Sequence, residues 1–412
     1  MKKRMIGIST LLLGGLLAGC GGESSGGSSE SEGEVLVWNY FTGKQKELFD
    51  ELVQEYNDSQ DAVTVTSEYV PFDEIKKQLS VGSAGDTLPD MVFVDTVDNA
   101  ALASQGVLAN ISDEVNEWGE KENFLEGPMK SAIYEEEYYG LPFASNALGL
   151  FYNEEKLEEA GFEEPPETWE ELSSYSETLT TDETTGMALS GVKSEESTFQ
   201  FYPFLLSNDV DYQSLDSAEA SESLEVLDEL IENGYMDDGV VNATQDDLAR
   251  QFGTGEVAMM VNGSWNIERL KEENESLEFS IAPIPSPEGK DSVSTLGGEN
   301  LALVEGGNQE ESWEFMSWLL EPEQLTDFTA ETSTFPARED ILNESDNWSE
   351  DKHLSQFIPI LENAQPRGPS PNWPSISSPI QVAIQEAFTD SKTPEEALED
   401  AAAKVEENTQ KE

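Results

Sequence analysis

Residues 34–40, Glu34-Val35-Leu36-Val37-Trp38-Asn39-Tyr40, open the stretch that decides the fold. The apolar run through Trp38 predicts a short buried strand. Leu48, Phe49, Leu52, Val53 and Tyr56 then recur on one helical face, and Val63, Val65 and Ser67 alternate with polar residues. Pro89-Asp90-Met91-Val92-Phe93-Val94-Asp95 gives a further apolar run. Strands separated by helices imply βαβ units and a parallel sheet. Ligands of such sheets bind beyond the carboxyl ends of the strands. Trp38, Asn39 and Tyr40 at the end of one strand and Asp95 at the end of another are therefore expected to face a common cleft.

The alternation resumes after Tyr138-Tyr139-Gly140-Leu141-Pro142-Phe143, with Leu148-Gly149-Leu150-Phe151-Tyr152 as a new strand. Thr168-Trp169-Glu170-Glu171 reads as a capping box, Thr168 accepting from the backbone while Glu171 reaches back. Phe252-Gly253-Thr254-Gly255 breaks a helix before the strand Glu256–Val261, which runs into Asn262-Gly263-Ser264-Trp265. That places a second aromatic just beyond a carboxyl end. Thr393-Pro394-Glu395-Glu396 is another capping box, with proline at the first helical position and Ala397, Leu398, Ala401, Ala402 and Val405 as its packing face.

At the N-terminus, Lys2, Lys3 and Arg4 precede an apolar segment too short to span a bilayer, closed by Leu17-Ala18-Gly19-Cys20. Basic start, short apolar core and small-residue cleavage site describe an export signal. Cys20 is the only cysteine and is followed by a Gly/Ser/Glu run in which no core can form. The segment resembles the bacterial lipoprotein signal, which implies that Cys20 carries the lipid. Residues 1–20 are then the signal, 21–34 a flexible tether, and the mature protein is anchored on the outer face of the cytoplasmic membrane.

The chain has 412 residues, a length that suggests two or three domains. Its 86 Asp and Glu against 21 Lys and Arg give a formal net charge of −65, which disfavours nucleic acid and anionic lipid surfaces as partners. With 8 Trp, 11 Tyr and 18 Phe the chain is not a disordered polyanion. The acids read as a solvated surface whose self-repulsion concentrated salt would screen, pointing to a halophilic or alkaliphilic host.

Taken in order, the signal, Val37-Trp38-Asn39, Pro89-Asp90-Met91-Val92-Phe93, Gly140-Leu141-Pro142-Phe143, Leu150-Phe151-Tyr152-Asn153 and Thr168-Trp169-Glu170-Glu171-Leu172 resemble the family 1 extracellular solute-binding proteins of ABC importers. Ala258-Met259-Met260-Val261-Asn262-Gly263-Ser264-Trp265, Gly297-Gly298-Glu299-Asn300, Phe335-Pro336-Ala337-Arg338, Leu361-Glu362-Asn363-Ala364-Gln365 and Thr393-Pro394-Glu395-Glu396-Ala397-Leu398 extend the resemblance along nearly the whole mature chain.

That resemblance implies an α/β, two-lobed, periplasmic-binding-protein-like fold of type II, each lobe a mainly parallel sheet flanked by helices, with the ligand cleft between them. Residues 35–144 with 297–338 would form one lobe and 145–296 with 339–412 the other. Crossovers are expected near Ala144 to Ala147 and Ser294 to Gly298. It implies a monomer that closes on a carbohydrate by hinge motion and delivers it to a membrane permease, with no cofactor and no metal. Trp265 matches the family's sugar-stacking tryptophan. Trp38, Tyr40, Asp95, Asn146, Glu299, Asn300, Arg338 and Trp373 are the further candidate ligand contacts, although Asp95 could equally cap a helix and Arg338 could simply offset surface acid. Where maltose-binding members carry a sugar-contacting glutamate and an aspartate-arginine pair, this chain has Asn146, and Val97 with Asp98. Another oligosaccharide or a monosaccharide is therefore expected.

The rival class is an exported glycosidase or polysaccharide lyase, since paired carboxylates can do acid–base work. No nucleophile elbow, zinc signature or phosphate loop is present. His353, the only histidine, lies in charged Ser349-Glu350-Asp351-Lys352 surroundings and reads as a surface residue. Glu135-Glu136-Glu137 lacks the spacing of a calcium loop and reads as a solvated face.

Overall fold

The computed structural model describes residues 33–82, 88–368 and 370–409. The expected signal, Cys20 and the tether as far as residue 32 lie outside the described residues, while Gly33 and Glu34, assigned to the tether, already belong to a strand. The strands are β1 (Gly33–Asn39), β2 (Val63–Tyr69), β3 (Met91–Asp95), β4 (Ile133–Tyr134), β5 (Glu137–Tyr138), β6 (Leu141–Asn153), β7 (Thr185–Ala188), β8 (Val257–Gly263), β9 (Phe279–Ala282), β10 (Thr295–Leu303), β11 (Phe335–Pro336) and β12 (Gln365–Pro366). All but the β4–β5 hairpin join one path, β2-β1-β3-β10-β6-β8-β7, with β9 and β11 also on β6 and β12 on β10.

β1 lies parallel to β2 and β3, and β7 parallel to β8, as strand–helix–strand units require. β10 and β6 run antiparallel to each other and to β3 and β8. Each lobe thus carries a mixed sheet, with parallel pairing confined to those outer units and to β10–β12.

The long strand β6 makes two lobes out of one sheet. Leu141 to Ala147 pair with β10, whereas Leu148 to Asn153 pair with β8 and β9. Leu296, Gly297 and Gly298 lie opposite Ala147, Asn146 and Ser145, so two chain crossings run side by side. Gly298 has φ +140°, and a Cβ there would sit 2.2 Å from the Ala144 carbonyl oxygen. Only glycine fits that approach.

Alternation on β1 sends Val35 and Val37 into the core with Phe49 and Leu52, the predicted face of the helix Gly43–Ser59. It sends Trp38 to the opposite face, into a smaller cluster with Ile75, Leu79, Val92 and Val94. Burying such apolar side chains contributes roughly 1.5–3 kcal/mol each. At the C-terminus Ala397, Leu398, Ala401 and Val405 are buried as their spacing predicts, and Ala402 is half-buried.

Both expected capping residues cap. Thr168 accepts from the Glu171 amide at 3.2 Å, but the Glu171 carboxylate reaches past Thr168 to the Glu167 amide at 2.9 Å. Thr393 and Glu396 exchange bonds of 3.2 and 3.5 Å. His353 is not a surface residue. It is buried face to face on Phe279, centroids 4.1 Å apart, with Nε2 3.1 Å from the Phe279 carbonyl oxygen. Burial and the neighbouring Lys271 hold its pKa down.

Candidate ligand-binding cleft

A cavity of about 290 Å³ opens where β1, β3 and β10 of the first lobe face the loop after β8 and the helix Glu195–Ser207 of the second. That helix belongs with the second lobe: the Gln200 side chain donates to the Val261 carbonyl of β8 at 2.8 Å.

One wall is a stack. The Arg367 guanidinium lies 4.2 Å over the Phe199 ring, and Phe199 in turn lies nearly parallel to Trp265, centroids 6.2 Å apart at 14°. Local sequence builds the Trp265 end. Asn262 Oδ1 accepts from the Gly263 amide at 2.9 Å and from Asn266 Nδ2 at 2.8 Å, fixing the turn. A Cβ on Gly263 would fall 1.8 Å from the indole, so glycine lets the ring fold back over the strand end. Gly297 does the same across the cleft floor, where a Cβ would meet Asn146 Oδ1 at 2.4 Å and Phe199 at 2.7 Å. Asn146 is buried and its Oδ1 has no hydrogen-bond partner. That oxygen is turned toward Gly297 and shut off from the cavity, so it is an unpaired acceptor of the interior.

The polar wall is mostly acidic. Asp95, ending β3, takes Arg367 Nη2 at 3.2 Å on both oxygens. Glu195, at the start of its helix, takes Arg367 Nη1 at 2.5 Å, Trp373 Nε1 at 3.0 Å and the Ser377 hydroxyl at 2.6 Å. Glu299 stands beside Asp95 in the β10–β3 ladder. Burial, and then the charge of Asp95, push its pKa up to about 8. Glu196 accepts from the Gln245 amide at 2.7 Å, yet burial raises it to about 7. Beyond Asp95 and Glu195 a second cavity of about 230 Å³ continues between the lobes, lined among others by Lys76, Asp98, Lys193 and Gln381.

The structure therefore brings Tyr40, Asp95, Asn146, Glu299 and Trp265 together on one cavity. It places four other candidates elsewhere. Trp38 is in the core because it precedes the strand end, where alternation still governs its direction. Asn300 follows a register shift in β10 and turns to Ser131, donating at 3.0 Å. Arg338 neither meets the cavity nor lies on the surface: it is buried, forked onto Asp340 at 2.7 and 3.0 Å, with Glu120 and the Leu320 carbonyl completing its bonds. Trp373 is fully buried between Tyr202 and Tyr212 and reaches the site only through Glu195.

Arg367, Glu195, Glu196 and Phe199 line the cavity and were not among the candidates. Arg367 lies two residues past the Leu361–Gln365 motif, a lone cation in Pro366-Arg367-Gly368-Pro369 of a chain poor in cations. Glu195 carries no such signal among so many acids.

The profile of a family described as bacterial extracellular solute-binding protein matches residues 51–356. A binding protein of Brucella abortus is 24% identical over 388 residues, covering 92% of this chain and 94% of its own. The galactooligosaccharide-binding protein of Bacillus subtilis is 24% identical over 404 residues, covering 94% and 92%. Among solved structures, an ABC transporter solute-binding protein of Thermotoga lettingae bound with alpha-D-tagatose superposes with a TM-score of 0.85 at 23% identity, covering 91% of this chain and 99% of its own.

Proposed function

The chain belongs to the bacterial extracellular solute-binding proteins, and from that membership we propose that it captures a sugar in this cleft and passes it to the permease of an ABC importer. One observation carries the carbohydrate reading: the partly exposed Trp265 indole, backed by Phe199, shares a cavity of about 290 Å³ with the polar side chains of Asn146 and Glu299. Sugars need that pairing, a flat apolar surface for C–H faces and planar polar groups for hydroxyls. The volume sits near the lower end of small-ligand sites, roughly 300–1,000 Å³, in keeping with a monosaccharide or short oligosaccharide. The tagatose-bound structure and the galactooligosaccharide-binding relative agree in class.

Capture proceeds by hinge closure of lobes 35–144 with 297–338 and 145–296 with 339–412, without covalent change. The exchange of β6 between partners after Ala147 supports that division. Cys20 anchors a monomer to the outer face of the cytoplasmic membrane through the tether. A Cys20→Ser variant is expected to lose labelling by fatty acid.

The test is a thermal-shift screen of the purified mature protein against mono- and oligosaccharides. A ligand at about 100 times its dissociation constant adds roughly 2.7 kcal/mol, and the sugar is recovered intact. Sugar turnover, or no stabilisation by any carbohydrate, overturns the proposal.

A further inference from the structure

Six carboxylates line the main cavity, Asp73, Asp95, Glu195, Glu196, Asp246 and Glu299, and the only basic residue among its lining is Arg367. Arg367 serves Asp95 and Glu195, and Arg269 pairs with Asp246 at 2.7 Å. Among the described residues no cation comes within ion-pair distance of Asp73, Glu196 or Glu299. An acid-rich composition accounts for hydrated carboxylates on the surface. It does not account for Glu299, desolvated between the lobes and next to a like charge in the ladder. Nor are the acids gathered for a metal ion, since no group of three described acids could hold one.

We infer that the sugar this cleft takes bears a protonated amine, with its ring on Trp265 and its ammonium on the Glu299 carboxylate. The inference rests on the carbohydrate reading above and narrows it. A neutral sugar leaves the six carboxylates of the cavity with Arg367 as the single cation of its lining, whereas an ammonium brings a second positive charge beside Glu299 and Asp95. Below its raised pKa the empty site holds Glu299 protonated; the arriving cation lowers that pKa, so the Glu299 proton leaves to solvent and an ammonium–carboxylate pair remains.

The experiment is a calorimetric screen at pH 7 with matched sets of mono- and disaccharides differing only in one group, hydroxyl, N-acetyl or free amine. The expected result is that the tightest binder carries the free amine and exceeds its hydroxyl counterpart at least tenfold. Titrations in buffers of different ionisation enthalpy should show close to one proton released with the amine and none with the hydroxyl form. Glu299→Gln should lose at least tenfold for the amine form, and with it both the preference over the hydroxyl counterpart and the proton release. If a neutral sugar is the tightest binder, with no proton released, the inference falls and the carbohydrate reading stands. If no member binds, both fall.

Discussion

Asp95 and Glu195, carried by different lobes, meet on one cation. Arg367 offers Nη2 to both oxygens of Asp95 at 3.2 Å and Nη1 to Glu195 at 2.5 Å, all three side chains nearly or fully buried. Arg367 follows β12, which pairs with β10 at Thr295 and Leu296, so the clasp is placed at the crossing between lobes.

Removing that cation leaves two buried carboxylates facing each other. Arg367→Met is expected to cost about 3–5 kcal/mol of stability, the range for breaking a buried pair from one side. Denaturant unfolding of the ligand-free protein measures it, and Asp95→Asn with Glu195→Gln in the same chain should restore part of the loss. Unchanged stability in Arg367→Met would show that the clasp carries no net energy.

Trp265→Ala should cost roughly 2 kcal/mol or more of sugar binding, about thirtyfold in affinity. Because the indole is partly exposed, folding stability should fall well short of the roughly 3–5 kcal/mol of a core tryptophan. Titration calorimetry beside unfolding separates the two; lost stability with normal affinity would make Trp265 structural.

Ligand-free stability should fall as pH rises from about 4.5 to about 8. Glu299, near 8 when folded, and Glu196, near 7, hold protons the unfolded chain has already released. Across that window the native state binds more protons, so stability drops with pH and levels off above it. Melting temperatures in a constant-ionic-strength pH series should show the fall, with Glu299→Gln flattening it. A rise over the same range would contradict these assignments.

With 86 acids against 21 bases, the melting temperature should climb as sodium chloride rises from low to molar concentration. A flat response would mean that carboxylate repulsion is a minor term.

What could be read from the chain was local. Periodicity placed Val35 and Val37 against Phe49 and Leu52, and strand ends placed Tyr40, Asp95 and Trp265. Trp38 and Tyr40, two residues apart, share one apolar cluster, but Tyr40, just past the strand end, is only partly buried and also reaches the cavity. Glu195 could not be seen as a cleft residue, since its meaning comes from a guanidinium 172 positions away. Arg338 and Trp373 sit in motifs that resemble cleft stations. Their long side chains take their direction from packing against Asp340 and between two tyrosines, which no spacing encodes.

Of five arginines in the sequence, Arg338 and Arg367 are among the largest fully buried side chains. Dissolved sodium can take the place of lysine at a hydrated surface, but a hydrated ion cannot replace a fork bonded in the interior. Composition and architecture are thereby decoupled. Surface glutamates could be traded for lysines one at a time, drifting toward neutrality, while both interior guanidinium clasps stayed as they are.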